Sequence, residues 1–159
     1  MKAKILLLSI SFLFLGACSA YQEVTQLSSP APQSVCVVKH EAVKKEVLEV
    51  ITKEFQNHGI QPTVLDGDYE IKHNQWIPTW NADQAQSCDS MGFYFARWNW
   101  DLATYMSFAN IWMTDTAGSK ILAQATYDAS TAGTSKFINA EEKIQELMRE
   151  MIIGPTTEE

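Results

Sequence analysis

The chain has 159 residues, 46% of them hydrophobic and 11% aromatic, and a formal charge of −7. That content supports one packed domain and excludes a wholly disordered chain. The acidic balance excludes a nucleic-acid binder that works by neutralising phosphates, and it offers no attraction to anionic lipid headgroups.

In chain order the first signal is a leader. Lys2 and Lys4 precede a mainly apolar run from Ile5 to Leu15, about half of the roughly 20 residues that a spanning helix needs. The stretch Leu15-Gly16-Ala17-Cys18 resembles a bacterial lipobox, in which small residues admit the peptidase and the cysteine takes a diacylglycerol. The resemblance implies a signal peptide over residues 1–17 and a mature lipoprotein whose Cys18 carries several acyl chains, palmitate among them. Acyl chains contribute about 0.8 kcal/mol per buried methylene, so one holds weakly and two or three hold firmly. Removing residues 1–17 takes away Lys2 and Lys4 and no acid, which moves the formal charge from −7 to −9. Ser19 after the cysteine resembles an outer-membrane address. Two other readings stand beside this one: secretory cleavage after Ala20, which discards Cys18, and an apolar core helix.

Residues 18–34 hold Gln, Ser and the pair Pro30 and Pro32 with few aliphatics, and are expected to form a lipidated, flexible tether. A single domain is expected over residues 35–154, followed by an acidic tail over 155–159. With Cys18 lipidated, Cys36 and Cys88 remain as an even pair in an oxidising compartment, so a disulfide is expected. Its alternative is two buried thiols that act as small hydrophobes. Neither cysteine has a zinc-site spacing with His40 or His73, so no metal is expected, and no motif asks for a cofactor.

Val35 to Val38 reads as a buried strand. Glu41 to His58 reads as a helix with Val43, Val47, Val50, Ile51 and Phe55 on one face and Gly59 to end it. Thr63 to Leu65 reads as a second strand, Asp66-Gly67-Asp68 as a turn, Tyr69 to Ile77 as a possible extension, and Trp76 to Gln86 as loop. Phe93 to Asn99, Thr104 to Thr114 and Lys120 to Asp128 read as three strands in successive antiparallel hairpins. Alternation puts Tyr94, Ala96 and Trp98 opposite Phe93 and Phe95. On the next strand it puts Tyr105, Ser107, Ala109, Ile111 and Met113 opposite Met106, Phe108 and Trp112. Ala123, Ala125 and Tyr127 make a small-residue face on which a helix can sit. After a Ser/Thr/Gly loop over Ser130 to Ser135, Asn139 to Ile152 reads as a helix capped by Asn139 and Glu142, with Gly154-Pro155 as its stop. The expected fold is therefore α+β: an open, mainly antiparallel sheet with two helices packed on one face.

A catalytic centre is hard to find. There is no Gly-x-Ser-x-Gly, no phosphate-binding glycine loop and no His-Glu-x-x-His. His40 and His73 read as surface histidines, and Cys36 and Cys88 lack the partners of reactive thiols. The strongest local feature is the turn from Trp98 to Tyr105. Trp98, Trp100 and Tyr105 could stack on a sugar ring while Asn99 and Asp101 bond to it; the alternative is a packed hairpin with cross-strand aromatic pairs. A third reading leaves Trp98, Phe108 and Trp112 as an apolar partner surface on a sheet face without helices.

The runs Phe95 to Tyr105, Ala109-Asn110-Ile111, Ala123 to Tyr127 and Glu142-Lys143-Ile144 resemble a family of small, uncharacterised proteobacterial lipoproteins, marked by a Trp-x-Trp-Asp-Leu-Ala-x-Tyr turn. The resemblance spans roughly Cys88 to Ile152 together with the lipobox, and departs in Thr79 to Gln86 and Ser130 to Ser135. It implies no catalytic residues and no known substrate. The expected function is that of an outer-membrane lipoprotein facing the periplasm, a non-catalytic binding or envelope-assembly component held by its lipid, with an envelope protein as possible partner. A sugar- or peptidoglycan-binding module using the Trp98–Tyr105 turn and a small envelope hydrolase are the alternatives.

Overall fold

The computed structural model describes residues 20–73, 75–129 and 138–154. The lipobox with Cys18, the Ser130 to Ser135 loop and the acidic tail lie outside the described residues. Six strands form one open sheet: β1 (Tyr21–Thr25), β2 (Ser34–Val38), β3 (Gln61–Leu65), β6 (Ser90–Asp101), β7 (Ala103–Thr114) and β8 (Ile121–Asp128), in the order β1-β8-β7-β6-β2-β3. A separate ribbon pairs β4 (Gly67–Lys72) with β5 (Gln75–Trp80). The helices are α1 (Lys45–Asn57), the short α2 (Ala82–Ala85) and α3 (Ala140–Ile153). The fold is the expected α+β arrangement, with β2 running parallel to both β3 and β6 and the other pairs antiparallel.

Burial explains the elements. Val35, Cys36, Val37 and Val38 are covered on both faces, which suits an apolar run in the parallel part of a sheet. Val37 points to α1, and Cys36 and Val38 point to the opposite side. The long helices lie together on one face, where Val47, Ile51 and Phe55 of α1 and Ile144, Leu147, Met148 and Met151 of α3 meet Ala109, Ile111, Ala123, Ala125 and Tyr127. The alanines let α3 approach the backbone of β7 and β8. Asn139 caps α3 by accepting from the Glu141 amide at 2.9 Å, while Glu142 accepts from the Asn139 side-chain amide at 3.4 Å.

Three expectations are corrected. Residues 21–25 are an edge strand, not part of a flexible tether. The strand lies antiparallel on β8, Gln22 bonds to Glu150 at 2.9 Å, and the Leu27 amide donates to the Met151 carbonyl at 2.8 Å. Helix α1 begins at Lys45 because His40 takes up the preceding turn: its Nδ1 accepts from the Ala42 amide at 3.3 Å and its carbonyl from the Val43 amide at 3.1 Å. Trp76 to Trp80 is strand, not loop. Pro78 is tolerated because a two-stranded ribbon has no interior strand to disrupt.

A bulge changes which side chains share a face. Arg97 pairs with Phe108 but Trp98 pairs with Met106, leaving Ser107 as the extra residue, its hydroxyl donating to the Arg97 carbonyl at 3.2 Å. Met106 therefore joins the helix-side core, as does Trp98, whereas alternation without the bulge places Met106 with Phe108 and Trp112.

Candidate functional site

Among the described residues the second face of the sheet carries no long helix. The β4–β5 ribbon and α2 cover it only over β2 and β6, where Leu65, Tyr69, Ala85, Met91 and Phe93 form a smaller core. The bridge between Cys36 and Cys88 ties β2 to the segment leading into β6, with Cα atoms 5.6 Å apart. Gly67 lets the ribbon start close to the sheet, since a Cβ there would lie 2.4 Å from Val38 Cγ1 and 2.7 Å from the Thr79 carbonyl oxygen. At the same end of the ribbon Trp80, the partner of Gly67, lies over Gly118, which has a φ of +72° in the β7–β8 turn.

Beyond the ribbon the face stays open as a cleft of about 890 Å³. Trp76, Pro78 and Trp80 of β5 form its wall; Phe93, Phe95, Phe108 and Trp112 form its floor. The rings pack stacked or tilted, with centroids 5.0 Å apart for Trp76 and Phe95, 5.1 Å for Trp80 and Phe93, and 5.5 Å for Phe93 and Trp112. Beside them the Asn110 carbonyl oxygen accepts from Gln124 at 2.9 Å and from Thr126 at 3.1 Å. That pair of bonds fixes the orientation of the Asn110 side-chain amide. Arg97 and Asp128 put one charge of each sign on the lining. Flat rings beside fixed amides suit a ligand with an apolar face and a hydroxylated or amide rim.

His40 lies behind this wall and is 4% exposed. Its ring stacks on Tyr69 at 4.1 Å and meets Trp76 at 4.9 Å and Phe95 at 5.7 Å. Burial pushes its pKa below the ordinary histidine value, against an opposing pull from Asp68, and its Nε2 has no partner among the described residues. Burial likewise raises the Tyr69 and Tyr94 hydroxyls; Tyr69 donates to the Val38 carbonyl at 2.9 Å, and the Tyr94 hydroxyl accepts from the His40 amide at 3.1 Å. The expectation of a surface histidine is thus corrected for His40. His73 sits exposed at the end of the ribbon with a φ of 50°.

The Trp98 to Tyr105 residues do not form one platform. Trp98 faces the helices, half-buried, with the Lys44 ammonium 4.6 Å from its ring centroid. Tyr105 pairs with Asn99 on the other side of the hairpin and is buried. Trp100 and Leu102 stand at the tip, 76% and 87% exposed, and Asp101 is exposed between them. The apolar partner surface expected on the open face loses Trp98 and keeps Phe108 and Trp112. Sequence reasoning missed Trp76 and Trp80, although Trp76, Pro78 and Trp80 alternate with Gln75, Ile77 and Thr79 at strand period.

Among the described residues no three His, Cys, Asp or Glu side chains are grouped to hold a metal ion, and no helix is long and apolar enough to cross a membrane. The fold and cleft thus define a class: a mixed-sheet α+β domain with helices on one face and an aromatic cleft on the other. No family model matches the chain, and no curated protein matches it. Solved structures do. The PelC dodecamer from Paraburkholderia phytofirmans matches with a TM-score of 0.53 at 10% identity, covering 84% of this chain and 94% of that one. A PelC variant from the same organism matches with a TM-score of 0.53 at 12% identity, over 84% and 95% of the two chains. TolB from Acinetobacter baumannii matches with a TM-score of 0.44 at 10% identity, over 84% of this chain and 31% of its own. The PelC likeness is one of fold.

Proposed function

We propose that the chain is a lipid-anchored, periplasm-facing binding or envelope-assembly component of the outer membrane, acting without catalysis. The observation that carries the reading is the open cleft, whose rings pack on one another and whose Asn110 and Gln124 amides bond to each other, as a binding site held ready for its ligand requires. The leader, the lipobox ending at Cys18 and the likeness to small proteobacterial lipoproteins support the location. Two measurements test it. Mass spectrometry of the mature N-terminus should find Cys18 acylated; an unmodified start after Ala20 would refute the anchor. Photo-crosslinking from Trp112 in the native envelope should capture a specific partner, and capture no stronger than from exposed Glu49 on α1 would sink the cleft as the working surface.

A second reading is a sugar- or peptidoglycan-binding module. It is favoured at the cleft over the Trp98–Tyr105 turn, because Trp112 and Phe108 share one face with Asn110 and Gln124. Titration with muropeptides should change tryptophan emission in the natural protein and lose that response in Trp112→Ala, while Trp98→Ala keeps it. The remaining alternative, a small envelope hydrolase, requires turnover of an envelope substrate that disappears on replacing His40 or His73.

A further inference from the structure

The N-terminal strand and the tip of the β6–β7 hairpin point to the same end of the molecule. Strands β1 and β7 both run antiparallel to β8, so they run parallel to each other. Tyr21 stands level with Asp128, and Asp128 with Phe108. The N-terminal end of β1 is therefore directed toward Ala103 and the hairpin apex. Leu102 lies six residues before Phe108, so the apex reaches roughly 20 Å past the level of Tyr21. Cys18 is only three residues before Tyr21, and three residues span at most about 10 Å in any conformation. A bilayer that holds Cys18 by its lipid consequently lies within reach of the apex.

The apex is built for such a surface. Leu102 is 87% exposed and Trp100 76%, with polar Asn99 and Asp101 between and beside them. Tyr21, 58% exposed, and Ile138, 39% exposed just before the α3 cap, stand at the same end. The neighbourhood of Ile138 is fixed by the groove in which Asn139 and Ala140 border Trp98. An exposed indole and an exposed leucine around a polar turn match the headgroup layer, where tryptophan sits with apolar body inward and polar edge in water. The acidic balance of the chain removes any electrostatic preference for anionic lipid, so a zwitterionic bilayer suffices.

We propose that the Trp100–Leu102 tip is a second membrane contact, seated in the headgroup layer of the bilayer that the N-terminal lipid grips, and that it fixes the domain's orientation. The inference rests on the lipid-anchor reading. With β1 folded onto β8, little free chain remains between lipid and domain, and the cleft is held at a set height above the membrane.

The test uses the full chain, processed in its host, purified in detergent and reconstituted into phosphatidylcholine vesicles with brominated acyl chains. Mass spectrometry first establishes whether Cys18 is acylated. In the acylated protein, brominated lipid should quench part of the tryptophan emission. That component should vanish in Trp100→Ala and fall in Leu102→Asn, which suits the left-handed backbone at φ 64°, and persist in Trp112→Ala. Circular dichroism on each variant shows whether the fold is kept, which exposure at the tip leads one to expect. Acylated protein whose emission brominated lipid leaves untouched, or whose quenching survives Trp100→Ala, overturns the membrane contact and leaves the anchor standing. An unmodified Cys18 overturns both.

Discussion

The two faces of the main sheet are covered by different means. On one face α1 and α3 lie across β6, β7 and β8, and small or aliphatic residues such as Ala109, Ala123, Ala125, Leu147 and Met148 pack there with Phe55, Tyr94 and Tyr127, all buried. On the other face a two-stranded ribbon and one short helical turn do the covering, and the residues are large rings: Trp76, Trp80, Phe93 and Trp112. Alanines beneath the helices let them pack close to the sheet. The ribbon, which carries Trp76 and Trp80, covers β2 and β6 and leaves the β7 and β8 part of this face open as the cleft. The larger core lies on the first face and the open cleft on the second, where the disulfide ties β2 to the segment leading into β6.

Removing that bridge should have the largest effect. It closes a loop between positions 52 apart, worth about 4 kcal/mol on the chain-entropy account. Cys36→Ser with Cys88→Ser is expected to lower unfolding stability by about that amount in urea titration. Hydrogen exchange should rise first at β4 and β5, and equal acceleration on both faces would dissolve the contrast. Next comes Leu147→Ala, which opens a cavity under α3 and is expected to cost about 3 kcal/mol. Trp112→Ala, at the half-buried floor of the cleft, should cost clearly less despite its larger side chain. A reversal of those two would mean that the cleft side carries the fold.

The helix side was largely legible in the sequence, because its signals are periodic and local: the α3 stripe from Ile144 to Ile152, the Asn139 cap, and Ala123, Ala125 and Tyr127 at strand spacing. The other side was not. The ribbon hides because Pro78 reads as a breaker, although it does no harm in a two-stranded ribbon. Strand β1 hides among Gln, Ser and Pro, since its stability comes from β8 and α3, more than 100 residues away in sequence. Ser107 gave no sign that it is the extra residue, and one bulge was enough to carry Met106 to the opposite face. His40 looked like a surface residue because nothing near it in sequence announces Tyr69, Trp76 and Phe95. The cleft, assembled from β5, β6, β7 and β8, could not be read before those strands were brought together.

A smaller change tests the seat of the ribbon. At Gly118 a Cβ would lie 2.5 Å from Trp80 Cη2, on a backbone with φ of +72°. Gly118→Val is expected to cost about 2 kcal/mol through strain and displacement of Trp80. The indole emission of the cleft should shift to the red as the ring is released, and an unchanged spectrum would mean that the ribbon does not depend on this contact.

The smallest effect, and the one that separates the faces most cleanly, is that of pH. His40 is buried beneath the ribbon and its pKa is lowered, chiefly by desolvation. The unfolded chain, with an ordinary histidine near pH 6.5, therefore takes up a proton at a pH where the folded chain does not. The contribution of His40 is fully present above that value and is lost as pH falls from it toward the lowered folded pKa, so stability should decline through mildly acidic pH. Replacing His40 with Phe, which keeps the stack on Tyr69, should flatten this part of the stability–pH curve. Because the protonated ring would sit between Tyr69, Trp76 and Phe95, the acid loss should appear first as ribbon opening, seen as faster hydrogen exchange at Tyr69 and Trp76 with α3 still protected. Simultaneous loss of protection in α3 and the ribbon would show that the two faces unfold as one unit and that the ribbon is no separate, pH-sensitive cover for the cleft.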